Sequence, residues 1–185
     1  MKSGLKFNIF GSISFSLIIS CTILSIHFPP VSATVIVRIQ TWNLVDATAH
    51  LDYYDTSSYG TQVTSAKNVW NAYKSGVIRT GCSTNRDCYI FNGYEVSNVC
   101  ATTYPSGAGG IGPDGCGYIT LNSYVMDASS NTKRQSIITH ELGHALGIGH
   151  TTLDEVMCSQ CMNIIVLQAG DMASYDAAYA KYSLF

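Results

Sequence analysis

His140-Glu141-Leu142-Gly143-His144-Ala145-Leu146-Gly147-Ile148-Gly149-His150 is the stretch in which residue type and spacing together specify a site. Residues four apart on a helix differ by about 40° around its axis and lie one turn apart, so His140 and His144 can present imidazoles to one point. Glu141 projects beside them. Gly147 comes a turn later, where the lack of a Cβ lets a helix stop and the chain reverse. That bend can carry His150 back to the first two histidines. Three neutral nitrogens at about 2.0–2.1 Å, with a fourth position left for water, describe a catalytic zinc site rather than a closed structural one. With three histidines, a glutamate and a glycine all fixed in position, average residue usage makes a chance match rarer than roughly one in ten thousand. Ordinary polar residues on a surface helix are therefore a poor account of the pattern.

The segment before the motif reads as the start of its helix. Thr132-Lys133-Arg134-Gln135 fits a capping box, in which Thr132 and Gln135 satisfy otherwise unpaired N–H groups. Ile138, Leu142 and Ala145 then fall at i, i+4 and i+7, an apolar stripe nearly opposite His140 and His144. The helix is expected to sit between core and cleft, its buried stripe holding the ligands' backbone rigid.

His-Glu-x-x-His-x-x-Gly-x-x-His resembles the metzincin signature, and Leu142, Ala145, Leu146 and Gly147 look most like its matrixin branch. The resemblance implies an α+β fold of the zincin type over residues 34–185. Its parts would be a twisted, mainly parallel mixed sheet with one antiparallel edge strand, an active-site helix and a C-terminal helix. It implies one catalytic Zn2+ held by His140, His144 and His150, with Glu141 as general base and then general acid in cutting a peptide bond. A methionine turn beneath the metal is implied at Met157, with Met162 the runner-up; such a residue supplies an apolar, polarizable floor. Val99, Cys100, Ala101 and Thr102, within Asn98–Tyr104, look like the family's substrate-binding edge strand, to which a peptide adds as a further strand. Some positions depart from the matrixin pattern. His50 is the one histidine between residue 34 and the motif, so no second structural zinc is expected. Thr151 stands after the third histidine where matrixins usually have Ser, and no Tyr follows Met157 as in astacin-like relatives, so a fifth, tyrosine ligand is not expected either. No cysteine-switch propeptide is expected between Ala33 and the domain.

Outward from the motif, Thr34–Gln40 and Ala49–Tyr54 read as extended, alternating runs that open a sheet. Val63, Ala66, Trp70 and Tyr73 recur at helical spacing across Thr61–Ser75, with Gly76 placed as a C-terminal cap. Val77–Thr80, Cys88–Phe91 and Cys116–Asn122 read as strands. The glycine-rich loop 105–115 lacks the lysine of a phosphate-binding loop, and a Ca2+ site there would have Asp114 as its single acidic ligand, too little to expect one. Met172, Tyr175, Tyr179 and Tyr182 mark one face of a closing helix over Asp171–Tyr182. The peptide-bond specificity would be shaped by the loop Leu153–Val166.

Lys2 and Lys6 precede an apolar run from Phe7 to Phe28, and Val31-Ser32-Ala33 follows. This describes a secretory signal peptide over 1–33, cut after Ala33. An uncleaved membrane anchor and a lipoprotein box at Ile18-Ile19-Ser20-Cys21 are the alternatives, disfavoured by Pro29-Pro30 and by the apolar residues after Cys21. The chain carries 10 Lys+Arg against 12 Asp+Glu, and removing Lys2 and Lys6 makes the remainder more acidic still, so nucleic acid is not an expected partner. A protein or peptide substrate, no stable membrane association and a monomeric domain are expected. Cys82, Cys88, Cys100, Cys116, Cys158 and Cys161 follow the leader, and an even number in an exported domain suggests disulfides. Nearest-neighbour pairing, Cys82–Cys88, Cys100–Cys116 and Cys158–Cys161, closes three short loops without crossing, although sequence leaves the pairing open. A redox role for Cys158 and Cys161, and a non-catalytic binding module on the same fold, are the rivals to an endopeptidase. The carboxylate at Glu141, for which a non-enzyme has no physical need, speaks against the second.

Overall fold

A computed structural model describes residues 35–105, 116–152, 154–160 and 163–183. The chain divides after Ala33, and the fold is that of the unit Thr34–Phe185. The leader, the loop 106–115 with Asp114, and Leu153, Cys161 and Met162 lie outside the described residues.

Alternation builds the sheet. In β1 (Leu51–Asp55) Leu51 and Tyr53 are buried, as are Cys88 and Ile90 of β3 (Cys88–Gly93) and Gly117, Ile119 and Leu121 of β5 (Gly117–Asn122). With β2 (Ile78–Thr80) and β4 (Ala101–Tyr104) they form one five-stranded sheet in the order β2-β1-β3-β5-β4. The β1–β2, β1–β3 and β3–β5 pairs are parallel, and β4 runs antiparallel to β5 at the edge. This is the mixed sheet expected from the sequence.

The buried face packs on two helices. α1 (Gly60–Tyr73) contributes Val63, Ala66 and Trp70, and α3 (Asn131–Ala145) contributes Ile138, Leu142 and Ala145. Each large apolar side chain so buried contributes about 1.5–3 kcal/mol. Trp70 also donates its indole N–H to the Thr139 carbonyl at 2.9 Å, so its polar edge is satisfied while its ring fills the seam between the helices. A short α2 (Ser123–Asp127), not anticipated from the sequence, links β5 to α3, and α4 (Ala169–Tyr182) closes the fold. Among the described residues no helix is long and apolar enough to cross a membrane.

Four expectations need correction. Residues 35–40 do not join the sheet; they make a single antiparallel bridge, Ile39 to Ile148, beyond the end of α3. β-Branched residues favour extended backbone without choosing its partner, and here the carbonyls and amides of Gly147–Gly149 take that place. The cap of α3 is Ser130, whose hydroxyl accepts from Lys133 N at 3.2 Å, two residues before the expected Thr132. On α4 the buried face is Asp171, Ser174, Tyr175 and Ala178, and Tyr179 is 37% exposed. Ser174 lets this helix approach residue 38, accepting from Arg38 N at 2.9 Å, and the Tyr182 hydroxyl donates to the Gln40 carbonyl at 2.7 Å. Finally, Cys82, Cys88 and Cys158 are free thiols, which removes Cys82–Cys88 and Cys158–Cys161; Cys100 is disulfide-bonded.

Candidate metal centre

The last turns of α3 carry His140 and His144 on the side away from the apolar stripe, with Glu141 between the two faces. The helix ends where expected: Gly147 has φ +92°, and Ile148 N donates to the Gly143 carbonyl at 3.0 Å. A Cβ at Gly147 would also crowd Tyr182 Cε2 at 3.0 Å and Asn43 Cβ at 3.2 Å, so both conformation and space call for glycine. Residues 38–44 then strap the turn. Gln40 N donates to Gly147 O at 2.7 Å, Gly149 N to Arg38 O at 3.0 Å, and Leu44 N to Ala145 O at 2.8 Å. This fixes the backbone that delivers His150.

The three imidazoles meet. Ring centroids lie 4.6 Å apart for His140–His144, 5.2 Å for His140–His150 and 4.8 Å for His144–His150. One ligating nitrogen from each can be chosen so that all lie within 4.8 Å of one another. His140 Nδ1 is 2.8 Å from the Val156 carbonyl and His144 Nδ1 is 2.8 Å from the Ile148 carbonyl. A carbonyl only accepts, so both Nδ1 atoms carry the proton and each Nε2 keeps its lone pair for a metal. His144 Nε2 and His150 Nε2 are 3.2 Å apart, against about 3.3 Å for two nitrogens on a tetrahedral zinc at 2.0–2.1 Å. The donor set fits one such ion. Burial pushes His140 and His144 down to about 4, which keeps both rings neutral.

Glu141 is buried at 6% exposure, and burial raises its carboxyl pKa; His144 and the Thr103 hydroxyl pull it back. Thr103, on β4, donates to Glu141 Oε2 at 2.6 Å. Beneath the helix, Met157 is fully buried against Gly143, where an added Cβ would collide with its sulfur. The turn bearing Met157 is held by Asp171, which accepts from Val156 N at 3.0 Å and Met157 N at 2.9 Å, and from Gln168 N at 2.8 Å in its own capping box. Glu155 answers from the turn by accepting from Gly170 N at 2.9 Å. Burial pushes the Asp171 carboxyl up, and the N–H groups of Gln168, Met157 and Val156 oppose it.

A cleft of about 540 Å³ opens over these residues. Val99, Cys100, Ala101 and Thr102 line it, with regular pairing starting only at Ala101. Thus His140, Glu141, His144, His150, Gly147, Met157 and the edge segment gather at one place. Sequence reading placed Thr103 in the edge strand without a role for its side chain, and missed Asp171, Gln40 and Trp42. The signal for Thr103 was its parity on the strand, and for Asp171 its place three residues after Gln168 at a helix start. Another acidic group, Asp46, Asp52 and Asp87, surrounds Arg79, whose guanidinium sits 2.9 Å from Asp46 and 2.6 Å from Asp52 and supplies the positive charge there.

The mixed sheet, the helix bearing two imidazoles and the turn returning a third define a metallopeptidase domain of the metzincin type. More particularly, the family model Peptidase_M43, described as pregnancy-associated plasma protein-A, matches residues 66–182, and the chain belongs to that family. A comparison with curated proteins gave no match. The metzincin expectation holds at this level, while the match lends no support to the matrixin branch. Leu142, Ala145 and Leu146, which suggested that branch, are core contacts of the helix and answer to packing more than to lineage.

Proposed function

We propose that this chain is a secreted zinc endopeptidase, with His140, His144 and His150 as ligands and Glu141 as general base and acid. What carries the reading is the pairing of three convergent imidazoles with a buried carboxylate in a cleft beside the sheet-edge strand β4. A zinc ion bound there supplies Lewis acidity and makes a water acidic enough to deprotonate near neutral pH.

The chain's own residues do the rest. β4 pairs one edge with β5, and among the described residues no strand pairs with its other edge, which an extended peptide could join. Glu141 takes a proton from the attacking water and returns it to the departing amide nitrogen, a transfer for which a carboxylate raised above its ordinary range is suited. The apolar floor at Met157 and the capped turn under it hold the imidazoles in place through these steps. Export rests on the Met1–Ala33 sequence.

The test is casein digestion by the secreted protein, its Glu141→Ala variant, and the protein after chelation and zinc return. The expected result is activity lost on chelation, recovered with zinc, and lowered at least about 100-fold in the variant. Equal digestion by Glu141→Ala would overturn the assignment.

A further inference from the structure

We propose that Thr103 is a positioning residue for Glu141: its hydroxyl fastens the carboxylate through Oε2 and leaves Oε1 to exchange the proton. The inference rests on the function proposed above and adds a side-chain role for a residue that the edge-strand resemblance contains but gives no role of its own.

Strand register puts Thr103 in this position. It pairs with Ile119, whose side chain is fully buried on the helix side of the sheet. Directly opposed residues share a face, so the Thr103 side chain points at α3. There its Oγ1 lies 2.6 Å from Glu141 Oε2 and 3.1 Å from the Glu141 backbone carbonyl. A hydroxyl has one proton to give, and the shorter, charge-assisted bond takes it. Among the described residues no other hydrogen bond reaches this carboxylate.

A glutamate turns easily about its last torsion, which is broad and roughly two-fold. Burial removes the water that would otherwise solvate both oxygens, and the single threonine hydroxyl then selects one orientation. A side chain of the same shape without the hydroxyl leaves Oε2 buried and unsatisfied, and the carboxylate free to rotate. Binding of an extended peptide to the β4 backbone does not depend on that hydroxyl. The defect therefore belongs to turnover, not to substrate affinity.

The experiment compares full-length secreted wild type with Thr103→Val, Thr103→Ser and Thr103→Ala on one quenched peptide, with zinc content and Tm measured for each. Expected are a kcat lowered roughly 10- to 100-fold in Thr103→Val, the loss of one hydrogen bond to a charged group, with KM and zinc content unchanged. Thr103→Ser restores kcat to within about 3-fold of wild type, since it keeps the donor. Should Thr103→Val fail to fold, Thr103→Ala carries the same expectation. Wild-type kcat in Thr103→Val or Thr103→Ala overturns the proposal, as does a Thr103→Ser protein no better than Thr103→Val. A wild type without chelator-sensitive cleavage, or an active Glu141→Ala, removes the proposed function instead and this residue's role with it.

Discussion

Gly143 and Met157 share one volume: a Cβ on the glycine would fall on the methionine sulfur, and would lie 2.9 Å from Trp70 Cζ2 as well. The middle of the histidine motif therefore rests directly on its floor. Gly143→Ala forces either Met157 or α3 to move, an overpacking that costs about 1–3 kcal/mol. Thermal unfolding of the zinc-loaded variant is expected to show a Tm lower by about 3–9 °C, with weaker zinc retention. An unchanged Tm would mean that the sulfur yields freely and sets nothing.

Asp171 is the link between α4 and the turn under the site. Its oxygens accept from three backbone N–H groups, two of them on Val156 and Met157. Asn at this position retains one acceptor oxygen and turns an NH2 toward N–H donors. With hydrogen bonds to charged groups worth about 1.5–3 kcal/mol each, Asp171→Asn is expected to lower Tm by about 5–10 °C and to reduce kcat/KM. Calorimetry and peptide kinetics on the same preparation check both, and a variant matching wild type in each would detach α4 from the site.

Stability without metal should depend on pH in a defined direction. His140 and His144 are held down at about 4, below the ordinary 6.5, chiefly by burial. Between these values the unfolded chain binds protons that the folded chain does not, so stability is complete above about 6.5 and falls as pH drops toward 4. Each ring can contribute a slope of up to about 1.4 kcal/mol per pH unit. Denaturant unfolding of chelated protein across this window is the measurement. A flat profile would show that the rings are not kept neutral by burial.

The cysteines should differ in reactivity. Cys82 is exposed, and the Thr84 hydroxyl together with backbone N–H groups of Thr84 and Asn85 lowers its thiol pKa. Cys88 is fully buried in β3, and burial raises its thiol far above the usual range. Iodoacetamide is expected to label Cys82 in the native protein and Cys88 only after unfolding, as read by peptide mass spectrometry. Recovery of a Cys82–Cys88 linked peptide would contradict the arrangement.

Legibility in the sequence tracked how local each cause was. α1 appears near its expected bounds because Val63, Ala66 and Trp70 repeat at the helical period, but it stops at Tyr73 with Lys74 as its C-cap, and the expected cap Gly76, at φ +73°, turns the chain two residues later. The parallel strands are where apolar residues alternate. Thr34–Gln40 failed because its extended backbone found a partner in Gly147–Gly149, more than a hundred positions along the chain, and nothing in its own residues encodes that choice. The cap of α3 shifted to Ser130 because two hydroxyl residues compete there and the first suffices.

Helix period, glycine placement and the chemistry of imidazole and carboxylate were enough for the sequence alone to bring His140, Glu141, His144 and His150 to one place, since the outermost pair is ten residues apart, at most a few turns along the chain. Tertiary structure decided what surrounds them. Thr103 reaches Glu141 across 38 positions, Asp171 reaches Met157 across 14, and residues 38–44 bind the end of α3. Those contacts depend on strand register and helix packing, which arise from the burial of the whole core and are written in no single segment.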